Sequence, residues 1–316
     1  MNDVNTMRAI GQDVLGGPEV LKVIEVARPK PRPNEVLVRV RAAGLNPTDW
    51  KHRENGGFLG KPPFVLGWDV SGTVEETGIG VAAFKAGDEV FGMAPYPFGH
   101  GTHAEYAIVP ARALVPKPAG IDHVQAGALP LVSLTAWQAL VENAGVQPGQ
   151  RVLIHAAAGG VGHVAAQIAK ARGAYVIGTA SAGKHDFLRE IGVDEPVDYR
   201  SVDVTETVRD VDVVLDTIGG DTSTASLRVL RPGGIVVSIL PVGSPELYRE
   251  AERLGVRAVR MLVDADRAGM RAVAGLVEEG KLRATVAGTF PLADAAKAHE
   301  LGGTGRTTGK LVLVMD

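Results

Sequence analysis

The segment Val152-Leu153-Ile154-His155-Ala156-Ala157-Ala158-Gly159-Gly160-Val161-Gly162-His163 restricts the fold more than any other part of the chain. An apolar run with no wet face leads into a turn of small residues, and a helical pattern over residues 161–172 starts at once. The spacing Ala157-x-Gly159-x-x-Gly162 follows the fingerprint of a dinucleotide loop. Gly159 lets the backbone approach a pyrophosphate, and Gly162 lets the helix close on the strand. The helix N-terminus offers free N–H groups and a partial positive charge to phosphate. A glycine triplet alone means only a tight turn; here a further strand pattern at residues 175–179 completes a strand–helix–strand unit. Ala158, Gly159, Gly160 and Val161 are the candidate phosphate contacts.

The same texture continues. Residues 152–156, 175–179, 211–216 and 235–239 are apolar enough to be strands buried on both faces, as in a parallel sheet. Helical patterns at 161–172 and 222–230 lie between them, which predicts a doubly wound α/β unit. The first third reads differently. In residues 35–42, Val36, Val38 and Val40 alternate with Leu37, Arg39 and Arg41, and residues 70–75, 89–93 and 105–110 are further strand candidates bounded by Gly, Pro or Asp. These predict a compact, mostly antiparallel β domain. Helices are expected at 122–129 and at 132–144, the second ending at Gly145. The closing stretch, 289–316, ends in an apolar strand at 311–315 that can return to the first domain and make it discontinuous.

The end of the second strand bears on the cofactor. An NAD site usually places an acid there for the ribose 2′-hydroxyl. This chain has Gly178-Thr179-Ala180-Ser181-Ala182-Gly183-Lys184 instead. Nothing there repels a 2′-phosphate, Ser181 can donate a hydrogen bond to it and Lys184 can neutralise it, so NADPH is expected. The plainer reading of Lys184 is a solvated lysine opening the next helix.

A formal net charge of −3 over 316 residues gives no drive toward nucleic acid or an anionic membrane surface, and neither is expected as a partner. The absence of cysteine excludes disulfides, thiolate nucleophiles and cysteine-ligated zinc or iron–sulfur sites, and fits a reducing cytoplasm. Residues 1–10 lack the apolar core of a secretory signal, residues 1–6 read as a short extension or an alternative start, and no apolar run reaches membrane-spanning length. No G-x-S-x-G elbow or P-loop lysine supports a hydrolase or an NTPase.

Several segments together resemble the zinc-independent quinone oxidoreductase branch of the medium-chain dehydrogenase/reductase superfamily. The glycine loop is similar to that branch's nucleotide loop. Ala43-Gly44-Leu45-Asn46-Pro47-Thr48-Asp49-Trp50 resembles its GxNPxDW segment, and Leu66-Gly67-Trp68-Asp69-Val70-Ser71-Gly72-Thr73-Val74 its GxDxxG strand. Residues 128–137, which include Thr135, and the closing Gly309-Lys310-Leu311-Val312-Leu313 also match, in collinear order over nearly the whole chain.

The resemblance implies a GroES-like β domain for substrate and catalysis (1–122 and 289–316) and a Rossmann NADPH-binding domain (123–288). It also implies an active-site cleft between the two and a homodimer joined at the nucleotide-domain sheet edge. It implies that Asn46 lies beside the nicotinamide and that Tyr199 packs near the 2′-phosphate, with Lys184 and Arg306 as phosphate-binding cations. Thr135, Ile218 and Ser238 then line the cofactor. Zinc-dependent relatives bear a cysteine where Asn46 stands and a His-bearing segment where Gly67-Trp68-Asp69 stands, so zinc is not expected. Phe58 falls near a position where some relatives have tyrosine, which puts a tyrosine-acid mechanism in doubt.

Without a metal, the easier hydride acceptors are quinones and conjugated enones, because the added charge delocalises onto oxygen and modest donors can hold it. Asn46 is the candidate donor or nicotinamide-positioning group, against a plain turn residue ahead of Pro47. Asp49 and Lys51, with His52, can relay a proton; the blander reading makes Asp49 structural and puts Lys51 and His52 on the surface. His155 reads as a hydrogen-bonded core histidine, and His100 and His103 as parts of a loop. Trp68 and Phe98 read as substrate wall or as core. The expected function is reduction of a quinone or an α,β-unsaturated carbonyl. An enoyl reductase for a biosynthetic intermediate and a non-catalytic NADPH-binding sensor remain the alternatives.

Overall fold

A computed structural model of the chain describes residues 6–240 and 245–315. The expectation for residues 1–6 falls, Thr6 apart, outside them. The strands, in chain order, are β1 (Thr6–Gln12), β2 (Lys22–Ala27), β3 (Glu35–Gly44), β4 (Phe64–Val65), β5 (Asp69–Thr77), β6 (Glu89–Met93), β7 (Tyr106–Pro110) and β8 (Leu114–Pro116). They continue as β9 (Arg151–Ile154), β10 (Tyr175–Ala180), β11 (Glu195–Asp198), β12 (Val211–Asp216), β13 (Leu230–Ser238), β14 (Arg257–Arg260), β15 (Val286–Pro291) and β16 (Lys310–Val314). Two compact units result. One takes the chain up to Leu131, Asp264–Glu278 and the part from Arg283 on; the other takes Val132–Val263 and Glu279–Leu282.

The first unit is the GroES-like part. Its larger sheet runs β15-β16-β3-β5-β6-β8, with β7 also paired to β3, and a smaller sheet runs β2-β1-β4. Antiparallel ladders dominate: β3 pairs antiparallel with β5, β7 and β16, so the C-terminal strand does return to this sheet. The alternation read at Val36, Val38 and Val40 points those residues into a core shared with Val70, Val90, Val109, Leu311 and Leu313. Each such side chain taken fully from water contributes about 1.5–3 kcal/mol.

The second unit is a parallel six-stranded sheet in the order β11-β10-β9-β12-β13-β14. Strand order reverses between β9 and β12, which puts the loops after those two strands at the topological switch point where α/β sheets hold ligands. The β9, β10, β12 and β13 cores (Leu153, Ile177, Val214, Val236) are buried, as their largely apolar composition predicts.

Three local expectations are corrected. β9 stops at Ile154 because Ala156 turns the chain at φ 46°. The helix expected at 132–144 starts earlier, Pro130–Trp137, and then widens into a π-helical turn over Gln138–Asn143. The helix expected at 222–230 ends at Ser226, since Leu230 already belongs to β13.

Candidate functional site

In the first unit, Asn46 ends β3's extended run and N-caps the helix Pro47–Asn55. Proline at the first helical position suits that end, and Gly56, at φ 80°, closes the other in the left-handed conformation. Asp49 reaches back to accept the Asn46 N–H at 2.6 Å. The helix start thus holds two fully buried polar side chains together.

Two more join them. Asp69, at the head of β5, accepts Asn46 Nδ2 at 2.9 Å and the Leu131 N–H at 2.6 Å. Lys310, at the head of β16, donates Nζ to the Leu45 carbonyl at 2.6 Å and to Asn46 Oδ1 at 2.5 Å, with Asp69 Oδ2 3.5 Å away. Gly44 has to be glycine: a Cβ there would stand 2.5 Å from Asp69 Oδ2 and 2.6 Å from the Gly127 carbonyl.

Burial pushes Asp69 up and Lys310 down, and each one's charge opposes the shift of the other. Asp69 collects three donors and Lys310 two good acceptors, which is what an ionised pair needs in the interior. Asp49 is left with the cost. Burial pushes its carboxyl up to about 8, Asp69's charge adds to the rise, and the Asn46 N–H and Lys310 only partly oppose it. Burial therefore favours the protonated form of Asp49, and among the described residues its Oδ1 has no hydrogen-bond partner.

The sign of the resulting pH dependence is fixed. Asp49's folded pKa lies above its ordinary 3.8, so the stability its protonated form contributes is complete below pH 4 and is lost as pH rises through 8. The variant Asp49→Asn keeps the acceptor and cannot ionise. Urea unfolding from pH 6 to 9 should show the variant gaining on the wild type as pH rises; parallel curves would remove the buried acid from the account.

Lys51, by contrast, is exposed on this helix and is not brought to the cluster. His52, read as a surface residue, is buried. It stands in a group of rings, 5.2 Å from Trp68 and 6.1 Å from both Phe58 and Tyr96 between centroids. Phe58 and Phe98 are exposed, while Trp68 is buried and anchored by its indole N–H on the Pro97 carbonyl at 3.0 Å. His103 is wholly buried and held well below its usual range, at about 3, by burial.

In the second unit the glycine loop takes the expected form. The helix Gly160–Ala171 follows β9 through Gly159, an N-cap with no side chain to occupy the first-turn N–H groups. A Cβ on Gly162 would stand 2.3 Å from the Ala156 carbonyl and 2.7 Å from Ala157 Cα, so only glycine lets this helix approach the turn. The loop is tied to its neighbours. Ala157 N–H donates to the Thr179 carbonyl at 2.9 Å, and Thr217 Oγ1 donates to the His155 carbonyl at 2.8 Å. His155 bonds Ser226 Oγ at 2.9 Å and is a core histidine, lowered by burial.

Asp216, buried at the end of β12, accepts the N–H groups of Ile218 and Gly219, each at 2.9 Å, and the Ser223 hydroxyl. That shapes the loop presenting Ile218, which is exposed. Ser238 is buried at the end of β13 and accepts the Leu240 N–H at 3.4 Å. Thr135 is buried in the helix Pro130–Trp137.

At the ends of β10 and β11, which pair in parallel up to Ala180 and Asp198, Ser181 and Lys184 follow one strand and Tyr199 the other. Arg200, which the sequence reading left out, lies over the Tyr199 ring at 5.7 Å from its centroid. No carboxylate ends β10. Arg306 lies in the first unit, exposed.

A GroES-like unit together with a 3-2-1-4-5-6 parallel sheet carrying a glycine loop at its switch point defines the medium-chain dehydrogenase/reductase class. Comparison with known proteins agrees. Residues 32–119 match the alcohol dehydrogenase GroES-like domain and residues 191–313 a zinc-binding dehydrogenase domain. A 2-haloacrylate reductase from a Burkholderia species is 36% identical, the match covering 95% of this chain and 96% of that protein. The structure of the quinone oxidoreductase from Coxiella burnetii superposes with a TM-score of 0.93 at 37% identity, covering 98% of this chain and 100% of that one. The Escherichia coli quinone oxidoreductase complexed with NADPH gives a TM-score of 0.88 at 30% identity, covering 97% and 99%. The chain belongs to the zinc-independent quinone oxidoreductase branch of the medium-chain dehydrogenase/reductase superfamily.

Proposed function

We propose that the protein is an NADPH-dependent reductase that reduces a quinone or an α,β-unsaturated carbonyl without a metal. The observation that carries the reading is the loop after β9, a glycine-lined, uncapped helix start at the switch point, beside a β10 that ends in Ser181 rather than an acid. The loop from Ala158 to Val161 would hold the pyrophosphate. Ser181, Lys184 and Tyr199, joined by Arg200, would hold the 2′-phosphate. Arg306 stays a proposed further phosphate contact, and Thr135, Ile218 and Ser238 proposed nicotinamide contacts. Bound there, the reduced nicotinamide supplies a hydride.

Metal independence is supported by the donor set. Asn46, standing where zinc relatives bear a cysteine, has Oδ1 committed to the Lys310 ammonium and Nδ2 to Asp69. The cation in this cluster is a lysine. The relative acting on a 2-haloacrylate supports an activated carbon–carbon double bond as acceptor. Among the described residues no helix is long and apolar enough to cross a membrane. We also propose a homodimer through the exposed edge of β14.

The test is oxidation of NADPH and NADH at 340 nm against quinones, enones and simple aldehydes. Turnover of quinone or enone with a preference for NADPH is expected; turnover of aldehydes alone would overturn the reading, and none at all would favour a binding-only protein. In the same assay Lys184→Ala should raise KM for NADPH about 10–100-fold, as loss of a charge-assisted phosphate contact of about 1.5–3 kcal/mol would, and leave NADH nearly unchanged. Equal losses for both cofactors would remove Lys184 from the 2′-phosphate.

A further inference from the structure

Phe58 leaves no phenol where some relatives carry one, yet a phenol stands beside it. The Tyr96 ring meets the Phe58 ring edge-on, with centroids 6.0 Å apart, and its hydroxyl lies 2.9 Å from Thr48 Oγ1. We propose that Tyr96 is the proton donor to the acceptor oxygen. This deepens the reductase reading and rests on it for the reaction, though not for the hydrogen bond.

One backbone group sets the His52 hydrogen bonds in the chain leading to Tyr96. The Phe58 N–H donates to His52 Nε2 at 3.2 Å, so that nitrogen carries a lone pair. The proton of a neutral imidazole is then on Nδ1, and the Thr48 carbonyl, 2.7 Å away, can only accept it. Thr48 Oγ1 lies 3.0 Å from the same Nδ1 and turns a lone pair to it. Its own hydrogen is therefore free to point at the Tyr96 oxygen. In that arrangement Tyr96 receives a hydrogen bond from Thr48 and its own O–H proton is left for a ligand.

That is the arrangement a proton donor needs. The phenol hydrogen can pass to a ligand, and the Thr48 hydroxyl can hold the oxygen it leaves behind as charge develops there. The ring is half-buried against Trp68, 5.1 Å away between centroids, with the exposed Phe58 beside it, so a flat conjugated ligand has aromatic faces to lie on.

The step balances. A bound reduced nicotinamide would supply a hydride to the acceptor carbon; as the conjugated π pairs shift toward oxygen, the Tyr96 O–H bond would break and an O–H bond would form on the acceptor. A quinone gives the keto tautomer of its hydroquinone, which aromatises as water moves one proton from the reduced carbon to the second oxygen; an enone gives an enol that becomes the ketone in water. The Tyr96 phenolate, held by the Thr48 hydroxyl, regains a proton from solvent.

Two readouts on wild type and Tyr96→Phe test it. The first needs no cofactor: the carbonyl stretch of carbon-13-labelled 2-cyclohexen-1-one bound to the apoprotein should shift to lower frequency in the wild type and lose that shift in the variant. The second is steady-state reduction of the same enone, where Tyr96→Phe should lower kcat roughly 100-fold, the usual scale for a lost acid, and change KM less than threefold. A wild-type carbonyl without the shift, or a variant kcat within twofold of wild type, overturns the assignment. A shift present in the wild type and lost in the variant, with no turnover in either, supports Tyr96 as the carbonyl donor and overturns the reductase reading instead.

Discussion

Replacing Lys310 with methionine is expected to destabilise the protein by about 3–5 kcal/mol, read as a fall in the urea midpoint at pH 7. Methionine nearly keeps the volume and removes the charge. What remains is a buried Asp69 carboxylate with only the Asn46 amide and the Leu131 N–H for support, plus a Leu45 carbonyl and an Asn46 Oδ1 that have lost their donor. Removing one partner of a buried pair costs more than the pair itself contributes, because the other charge stays in the interior.

The double variant Lys310→Met, Asp69→Asn separates the two effects. It removes the stranded charge, so it should recover much of the loss, with a coupling energy of about 1–3 kcal/mol in the cycle. A single variant losing less than 1 kcal/mol, or a double variant no better than the single, would mean that Asp69 is not ionised opposite Lys310.

Much of this molecule was legible because its strands bury themselves in distinct ways. The largely apolar runs ending in Asp216 and Ser238 read as two-sided parallel strands, and the alternation of Val38 and Val40 with Arg39 and Arg41 as a strand with one wetter face. The glycine loop was legible too, since strand, turn and helix follow within twelve residues. The edge strands β2, β14 and β15 were not, because an edge strand has one exposed side and its composition looks like a loop's.

The site was legible in its parts but not in its pairings. Asn46 and Asp49 stand three residues apart, and the helix start explains them. Lys310 comes from 264 residues away to reach Asn46, and only the pairing of β16 with β3 brings it there. A signal existed, a lysine heading an otherwise apolar strand. His52 was misplaced because a histidine between a lysine and an arginine reads as solvated, whereas here the Trp68 and Tyr96 rings cover it. Tyr96 and Arg200 had no pattern to announce them; each is defined by one neighbour across the fold or beside it.

Gly162→Ala is expected to weaken NADPH binding at least 100-fold, about 2.8 kcal/mol, measured by cofactor fluorescence. The added Cβ would fall 2.3 Å from the Ala156 carbonyl oxygen, 2.7 Å from Ala157 Cα and 2.9 Å from the Ala157 carbonyl carbon. All three are backbone atoms of the turn, so no side chain can swing aside. The helix Gly160–Ala171 must back away, and the first-turn N–H groups that would meet the pyrophosphate move with it. Overpacking of this kind also costs about 1–3 kcal/mol of stability.

Gly275→Ala is the control, because a Cβ there meets nothing within 4 Å in the middle of the helix Arg267–Glu278. Alanine should leave cofactor binding unchanged and add up to about 1 kcal/mol of stability. Equal affinity of Gly162→Ala and the wild type for NADPH would mean that the turn after β9 does not hold the cofactor. The reductase reading would then lose the observation that carries it.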